Sequence, residues 1–177
     1  MTTKFKQTRK IGVAGNFINQ LMGNNDSTPE LGGGATELHF SDRTPYQVIE
    51  VSKDLRKVRL QRYEAVADLS KNNEMGHQNW VLAPTNVYKT LVWRNNAWKQ
   101  VSETITFTKK FRQAAEEAGF FTTALYLRKT NPQLADDIYQ NSAFPQKVVE
   151  GITKVQKSYT PISIIFGVME YYYDWSI

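Results

Sequence analysis

Four cations crowd seven residues of this chain: Arg56, Lys57, Arg59 and Arg62. A guanidinium offers a planar fork of donors that matches a phosphate, and an ammonium adds a point charge. Tyr46 and Tyr63 stand nearby in sequence, and Arg43 precedes them in Ser41-Asp42-Arg43-Thr44-Pro45. Arginine forks would meet a phosphate, and a tyrosine or tryptophan ring would stack a base. Arg43, Tyr46, Arg56, Arg59, Arg62 and Tyr63 are therefore the candidate ligand-binding residues. A plainer reading competes and has the stronger prior. Arg59 lies between Val58 and Leu60, so strand alternation turns it away from them, and a charged row on that face keeps an edge strand soluble. Asp42-Arg43 is ambiguous in the same way. The pair can orient a ligand hydroxyl and phosphate, or the carboxylate can cap backbone N–H groups and pin the turn; the turn role is favoured.

Signatures of covalent or metal chemistry are absent from the sequence. The histidines are His39 and His77, with no His-Glu-x-x-His spacing, and a two-histidine site completed by Glu37, Asp42 or Glu74 has no local spacing to demand it. The lack of cysteine removes thiolate catalysis and thiolate zinc sites. Gly32-Gly33-Gly34 is not followed by Lys-Ser or Lys-Thr and opens into a strand, so it is neither a phosphate-binding loop nor a dinucleotide fingerprint. No Gly-x-Ser-x-Gly elbow occurs. The expectation is no catalytic residue, no metal and no cofactor, although scattered Ser, Asp and Glu could still converge in space.

The elements that must position the candidates follow from periodicity and turn chemistry. Residues 14–22 bring Phe17, Ile18, Leu21 and Met22 to near-helical spacing before Gly23, which predicts a short helix, and residues 24–34 are loop chemistry throughout. Residues 37–66 read as a lead strand, a turn at 41–45 and a hairpin turning at 52–54. Alternation places Tyr46, Val48 and Glu50 on one face and Gln47, Ile49 and Val51 on the other. On the return strand Val58 and Leu60 oppose Arg59, Gln61 and Tyr63. Trp80 to Ala83 reads as a short run stopped by Pro84. Strands 86–94 and 97–101 form a second hairpin about Asn95-Asn96, since Asn tolerates positive φ, with Trp93 and Trp98 paired across it. Residues 105–108 are a further short strand.

Thr108 then caps a helix with Phe111, Ala114, Ala115 and Ala118 on one stripe and Gly119 at its end. Residues 120–127 return to strand, and Asn131-Pro132 starts a helix that buries Leu134, Ala135 and Ile138. Residues 148–155 fit either period, with Gly151 and the β-branched residues favouring strand. Residues 162–168 read as a buried strand, and 169–174 as an extended, tyrosine-rich end. If exposed, Tyr171, Tyr172 and Tyr173 would form a stacking platform; burial is favoured for at least two of them.

The sum is a strand-dominated α+β protein, an antiparallel sheet or small β-barrel core with two or three short helices. Residues 1–34 form an N-terminal arm with a short helix and a glycine-rich loop; residues 35–177 form a single strand-rich α+β domain. A chain of 177 residues can bury a sizeable core, and two intimate subdomains without a linker are compatible with it. The net charge of +5 favours anionic partners, without the density of a DNA-binding arm. No apolar run reaches the ~20 residues of a membrane helix. With no signal-peptide pattern at the start, a cytoplasmic location is expected.

Ser-Asp-Arg-Thr-Pro-Tyr-Gln-Val-Ile-Glu-Val-Ser-Lys (41–53), Trp-Arg-Asn-Asn-Ala-Trp (93–98) and Glu-Tyr-Tyr-Tyr-Asp-Trp-Ser-Ile (170–177) together resemble an uncharacterised family of small proteins of tailed bacteriophages and prophages. The likeness runs over most of the chain from about Gly15. The resemblance implies a phage accessory protein in the cytoplasm of a bacterial host cell, and it carries over no site residue. Joined to the basic hairpin, it leads to one expectation: a non-enzymatic binding protein for a phosphate-bearing small molecule or nucleotide, in which an immune signal is sequestered. Alternatives are a nucleic-acid-binding small barrel, and a structural or host-protein interaction module whose aromatic tail packs a homo-oligomer. No membrane partner is expected.

Overall fold

A computed structural model describes residues 5–7, 17–71, 79–120, 123–141 and 147–172. The elements in chain order are α1 (Phe17–Met22), β1 (Gly34–Leu38), β2 (Arg43–Val51), β3 (Lys57–Ala67), β4 (Trp80–Arg94), β5 (Ala97–Phe107), α2 (Lys109–Glu117), α3 (Thr123–Thr130), α4 (Pro132–Asn141), β6 (Thr153–Pro161) and β7 (Ser163–Phe166). The strands join in the order β6-β5-β4-β3-β2-β1-β7. The ladders from β7 through β1, β2, β3 and β4 to β5 are antiparallel. A strand-dominated α+β protein is thus the observed class, with four short helices among the described residues where two or three were expected. No helix among the described residues is long and apolar enough to cross a membrane. The chain divides into two compact units: Met1–Val101 with Tyr159–Ile177, and Ser102–Ser158.

The first unit is built on the expected hairpins. Ser52 and Asp54 form the β2–β3 turn: Ser52 Oγ donates to Asp54 Oδ1 at 2.6 Å, and the Arg56 N–H donates to the same oxygen at 3.1 Å. These two bonds hold the Asp54 carboxyl below the usual carboxylate range. Asn95 and Asn96 both take positive φ, at 54° and 55°, in the β4–β5 turn. Trp93 and Trp98 pair across that turn with ring centroids 5.5 Å apart. Trp98 is fully buried, touching Phe5 and Phe166, and with Val48, Val58, Leu60, Leu91 and Ile164 it forms the unit's core.

Three expectations for this unit need correction. A bulge between Val48 and Glu50 resets the alternation of β2, so Glu50 leaves the face of Tyr46 and Val48 and lies beside Arg59, while Val51 turns to the core. Pro84 does not stop a strand; β4 runs from Trp80 through it to Arg94. Pro84 stands opposite Tyr63 of β3, next to the register shift of that ladder, and among the described residues the ladder to β5 covers only residues 91–94 of β4, so no β5 partner is lost at Pro84. The separate strand at 105–108 is the end of one continuous β5.

The second unit packs α2, α3 and α4 around Phe111, Leu127, Ala135 and Ile138. Thr108 is the N-cap of α2, its Oγ1 accepting the Phe111 N–H at 3.2 Å, and Gly119 follows the helix at φ 76°. Asn131 Oδ1 accepts the Leu134 N–H at 3.1 Å, which caps α4. The strand expected over 120–127 is instead α3 from Thr123. Phe120 suggested strand, but Ala124, Leu125, Leu127, Arg128 and Lys129 are good helix formers. The helix buries Leu127 and sets Arg128 and Lys129 at its negative end. Residues 147–152 form turns, with Gly151 at φ 75°, and strand begins at Thr153 rather than 148.

Candidate ligand-binding site

Within the first unit the sheet has two chemically distinct faces. On the core face, β1 contributes Glu37, β2 Tyr46 and β4 Lys89. Three strand spacings separate Lys89 from Glu37, roughly 14 Å across a flat sheet. Yet Lys89 Nζ lies 2.5 Å from Glu37 Oε2, so the sheet of this unit is curled. Tyr46 Oη donates to the same oxygen at 3.0 Å, and Lys89 Nζ stands 5.2 Å from the Tyr46 ring centre. Side-chain exposure is 16% for Lys89 and 8% for Glu37, so the carboxylate bridges an ammonium and a phenol nearly out of water. Burial, then the charge of Glu37 and its hydrogen bond, push the Tyr46 phenol well above its usual value; Arg62 opposes that rise. Tyr46 is therefore a fixed hydrogen-bond donor and not a base.

On the opposite face, Glu50, Ser52 of the β2–β3 turn, Lys57, Arg59, Tyr88 and Thr90 line an open groove of about 530 Å³, which the core residues Val51 and Val58 also border. Glu50 faces Arg59 and Arg59 faces Thr90 across the ladders, so the three form one row over three strands. Arg59 Nη1 donates to Glu50 Oε1 at 3.0 Å, and its guanidinium lies 4.8 Å from the Tyr88 ring centre. The guanidinium lies over the tyrosine ring, and Glu50 engages one of its nitrogens. Lys57 stands two residues from Arg59 on the same strand, about 7 Å away. The groove thus combines two cations, one carboxylate, an exposed aromatic face and the hydroxyls of Ser52 and Thr90.

The six candidate residues do not converge. Arg59 lines the groove and Arg56 is exposed in the adjoining turn. Tyr63 lies further along β3, its Oη donating to Gln47 Oε1 at 3.0 Å. Arg62 is exposed at an irregularity of β3, opposite Tyr46 and hence on the core-facing side. Tyr46 is buried. Arg43, 14% exposed, pairs with Glu170 at 2.5 Å, donates through Nε to Asn19 Oδ1 and lies over the Tyr172 ring. It fastens the C-terminal segment to β2, whose backbone bridges Tyr172.

Sequence reasoning named Lys57 only as part of the basic cluster and passed over Tyr88, Glu50 and Thr90. The β3–β4 register joins them, and that register carries no local signal. Tyr171 packs edge-on against Trp80 at 4.8 Å, and Tyr173 lies outside the described residues. His39 Nε2 sits 2.9 Å from Thr44 Oγ1, and His77 lies outside the described residues. No group of three or more metal-ligating side chains occurs among the described residues. Comparison with protein-family models, curated proteins and solved structures found no match to this chain. The functional reading rests on the groove's own chemistry.

Proposed function

We propose that the chain is a non-enzymatic binding protein that holds a phosphate-bearing aromatic small molecule, of nucleotide size, in the outer groove. The observation that carries this reading is Arg59 laid over Tyr88 beside Lys57. Arg59 and Lys57 meet the phosphate, with donors of the Arg59 fork beyond the one given to Glu50. The base stacks on Tyr88, which is 47% exposed. Thr90 offers a hydroxyl to the sugar, and a groove of about 530 Å³ suits a mononucleotide. Arg43 and Tyr46 serve the fold in this reading, since both are already engaged inside the unit. Set beside the likeness to tailed-phage proteins, such a binder would withhold a nucleotide immune signal of the host.

Titration calorimetry with AMP and GMP, against ribose and inorganic phosphate as controls, tests the reading. A nucleotide should bind one per chain. Arg59→Ala and Tyr88→Ala should each weaken it about tenfold, the scale of one lost charged or stacking contact. Nucleotide binding that both variants leave intact would overturn the assignment. A second reading, single-stranded nucleic acid, is favoured by another stack at the surface: the Arg94 guanidinium lies 4.4 Å from the Tyr159 ring centre.

A further inference from the structure

We propose, resting on the reading of the groove as a nucleotide site, that its ligand is a nucleoside polyphosphate whose phosphate chain runs along β4 and ends between Lys57 and Lys99. The ladders fix the outward-facing residues that support this class. Trp93 and Trp98 pair on the core face, so their neighbours Val92 and Lys99 turn to the outer face. Val58 is in the core, so Lys57 turns outward as well. Val92 stands opposite Lys57 on one side and opposite Lys99 on the other. The outer face therefore carries a row of lysine, valine and lysine over β3, β4 and β5. That row lies one step, ~7 Å, beyond the row of Arg59 and Thr90, and two steps beyond Tyr88. All of these residues belong to the first unit.

Charge sets the direction of the phosphate chain. Glu50 and Asp54 stand on β2 and in the β2–β3 turn, so phosphates are repelled from that side. On the β5 side the row ends in the Lys99 ammonium. Among the described residues no carboxylate pairs with Lys57 or Lys99, whereas Lys71, Lys89 and Lys157 each have one. The backbones of Lys57 and Lys99 are two strand spacings apart, about 10 Å, and their flexible stems let both ammonium groups close on one phosphate over Val92. Tyr88 takes the base and Arg59 the first phosphate. Lys57 is shared between that phosphate and the ones that follow. Lys99 serves only the later ones, so a monophosphate leaves it unused.

AMP, ADP, ATP and inorganic tripolyphosphate are titrated calorimetrically into the whole protein, with EDTA present so that no divalent cation masks the phosphates. Affinity should rise from AMP to ATP by at least about tenfold, the scale of one added charged contact. Tripolyphosphate, which has no ring for Tyr88, should bind at least about tenfold more weakly than ATP. Lys99→Gln should remove the gain for ATP and leave AMP unchanged, and Lys99→Arg should keep it, with circular dichroism checking the fold of both variants. Equal affinity for AMP and ATP overturns the polyphosphate class and leaves the nucleotide reading standing. ATP binding that Lys99→Gln does not weaken, or a loss of AMP and ATP alike, overturns the assignment of Lys99 to the later phosphates. Tripolyphosphate binding as tightly as ATP reduces the contact to charge and overturns the proposal. Failure of all three nucleotides to bind overturns the nucleotide reading and this inference with it.

Discussion

At the scale of single residues, the charges of the first unit do two different jobs, and burial separates them. Lys89 and Glu37 are paired nearly out of water, whereas Arg59 and Glu50 are paired in the open, with side-chain exposures of 44% and 63%. Breaking a buried pair leaves an uncompensated charge, so Lys89→Met should cost about 3 kcal/mol. Urea unfolding measures that loss. The double variant Lys89→Met with Glu37→Gln should recover part of it, because the stranded carboxylate is gone; a single-variant loss below about 1 kcal/mol would remove the pair from the stability argument. Arg59→Ala, by contrast, should change stability by less than about 1 kcal/mol, since its pair is solvated. The buried phenol adds a pH dependence. The folded state raises the Tyr46 phenol above the ordinary value near ~10, so the neutral form favours the fold. That contribution is fully present below the unfolded value and is lost as pH rises past it. Stability should therefore fall above pH ~10, and Tyr46→Phe should flatten that fall in denaturation curves taken at successive pH values.

Elements show where close packing asks for a particular residue. Gly34 opens β1, and a Cβ there would come within 2.9 Å of the backbone at Val168 and Met169. The glycine-rich loop ends in close packing, because its last member is where two backbones meet. Gly34→Ala should cost about 1–3 kcal/mol by forcing them apart, read as a lower denaturation midpoint with an unchanged slope. Signals of this kind divide what the sequence discloses from what it hides. The Asn95-Asn96 turn, the Thr108 cap and the Asn131-Pro132 start were legible because each depends on residues within a few positions. The bulge at Ile49 and the passage of β4 through Pro84 were not, because neighbouring strands decide them. Lys89 lies between. Strand alternation puts it on the face of Leu91, but its partner Glu37 stands 52 residues away in sequence, and only the curled sheet joins them. For the site, the Arg-rich stretch was visible while its stacking partner Tyr88 was not, for the same reason.

For the whole molecule, the net charge of +5 is a weak field, and part of the charge is already matched. Arg43 with Glu170, Arg59 with Glu50, Lys89 with Glu37, Lys71 with Asp68 and Lys157 with Glu103 form pairs within the chain. This distribution bears on the choice between a small ligand and a polymer. A nucleic-acid interface neutralises many phosphates at once, and each one released with its counterions steepens the salt dependence by about 0.7 for a single strand. Among the described residues the cations lining the groove are Lys57 and Arg59, so binding of a mononucleotide should have a log–log salt slope of about −1 to −2. Affinity should also be the same for AMP and for an adenosine decanucleotide once counted per site, because one groove holds one base and its phosphate. Fluorescence competition at two salt concentrations reads both quantities. Affinity that climbs with oligonucleotide length, together with a steep slope, would recruit cations beyond the groove, Arg94 on Tyr159 among them. The function would then move from a small signal to a strand of nucleic acid.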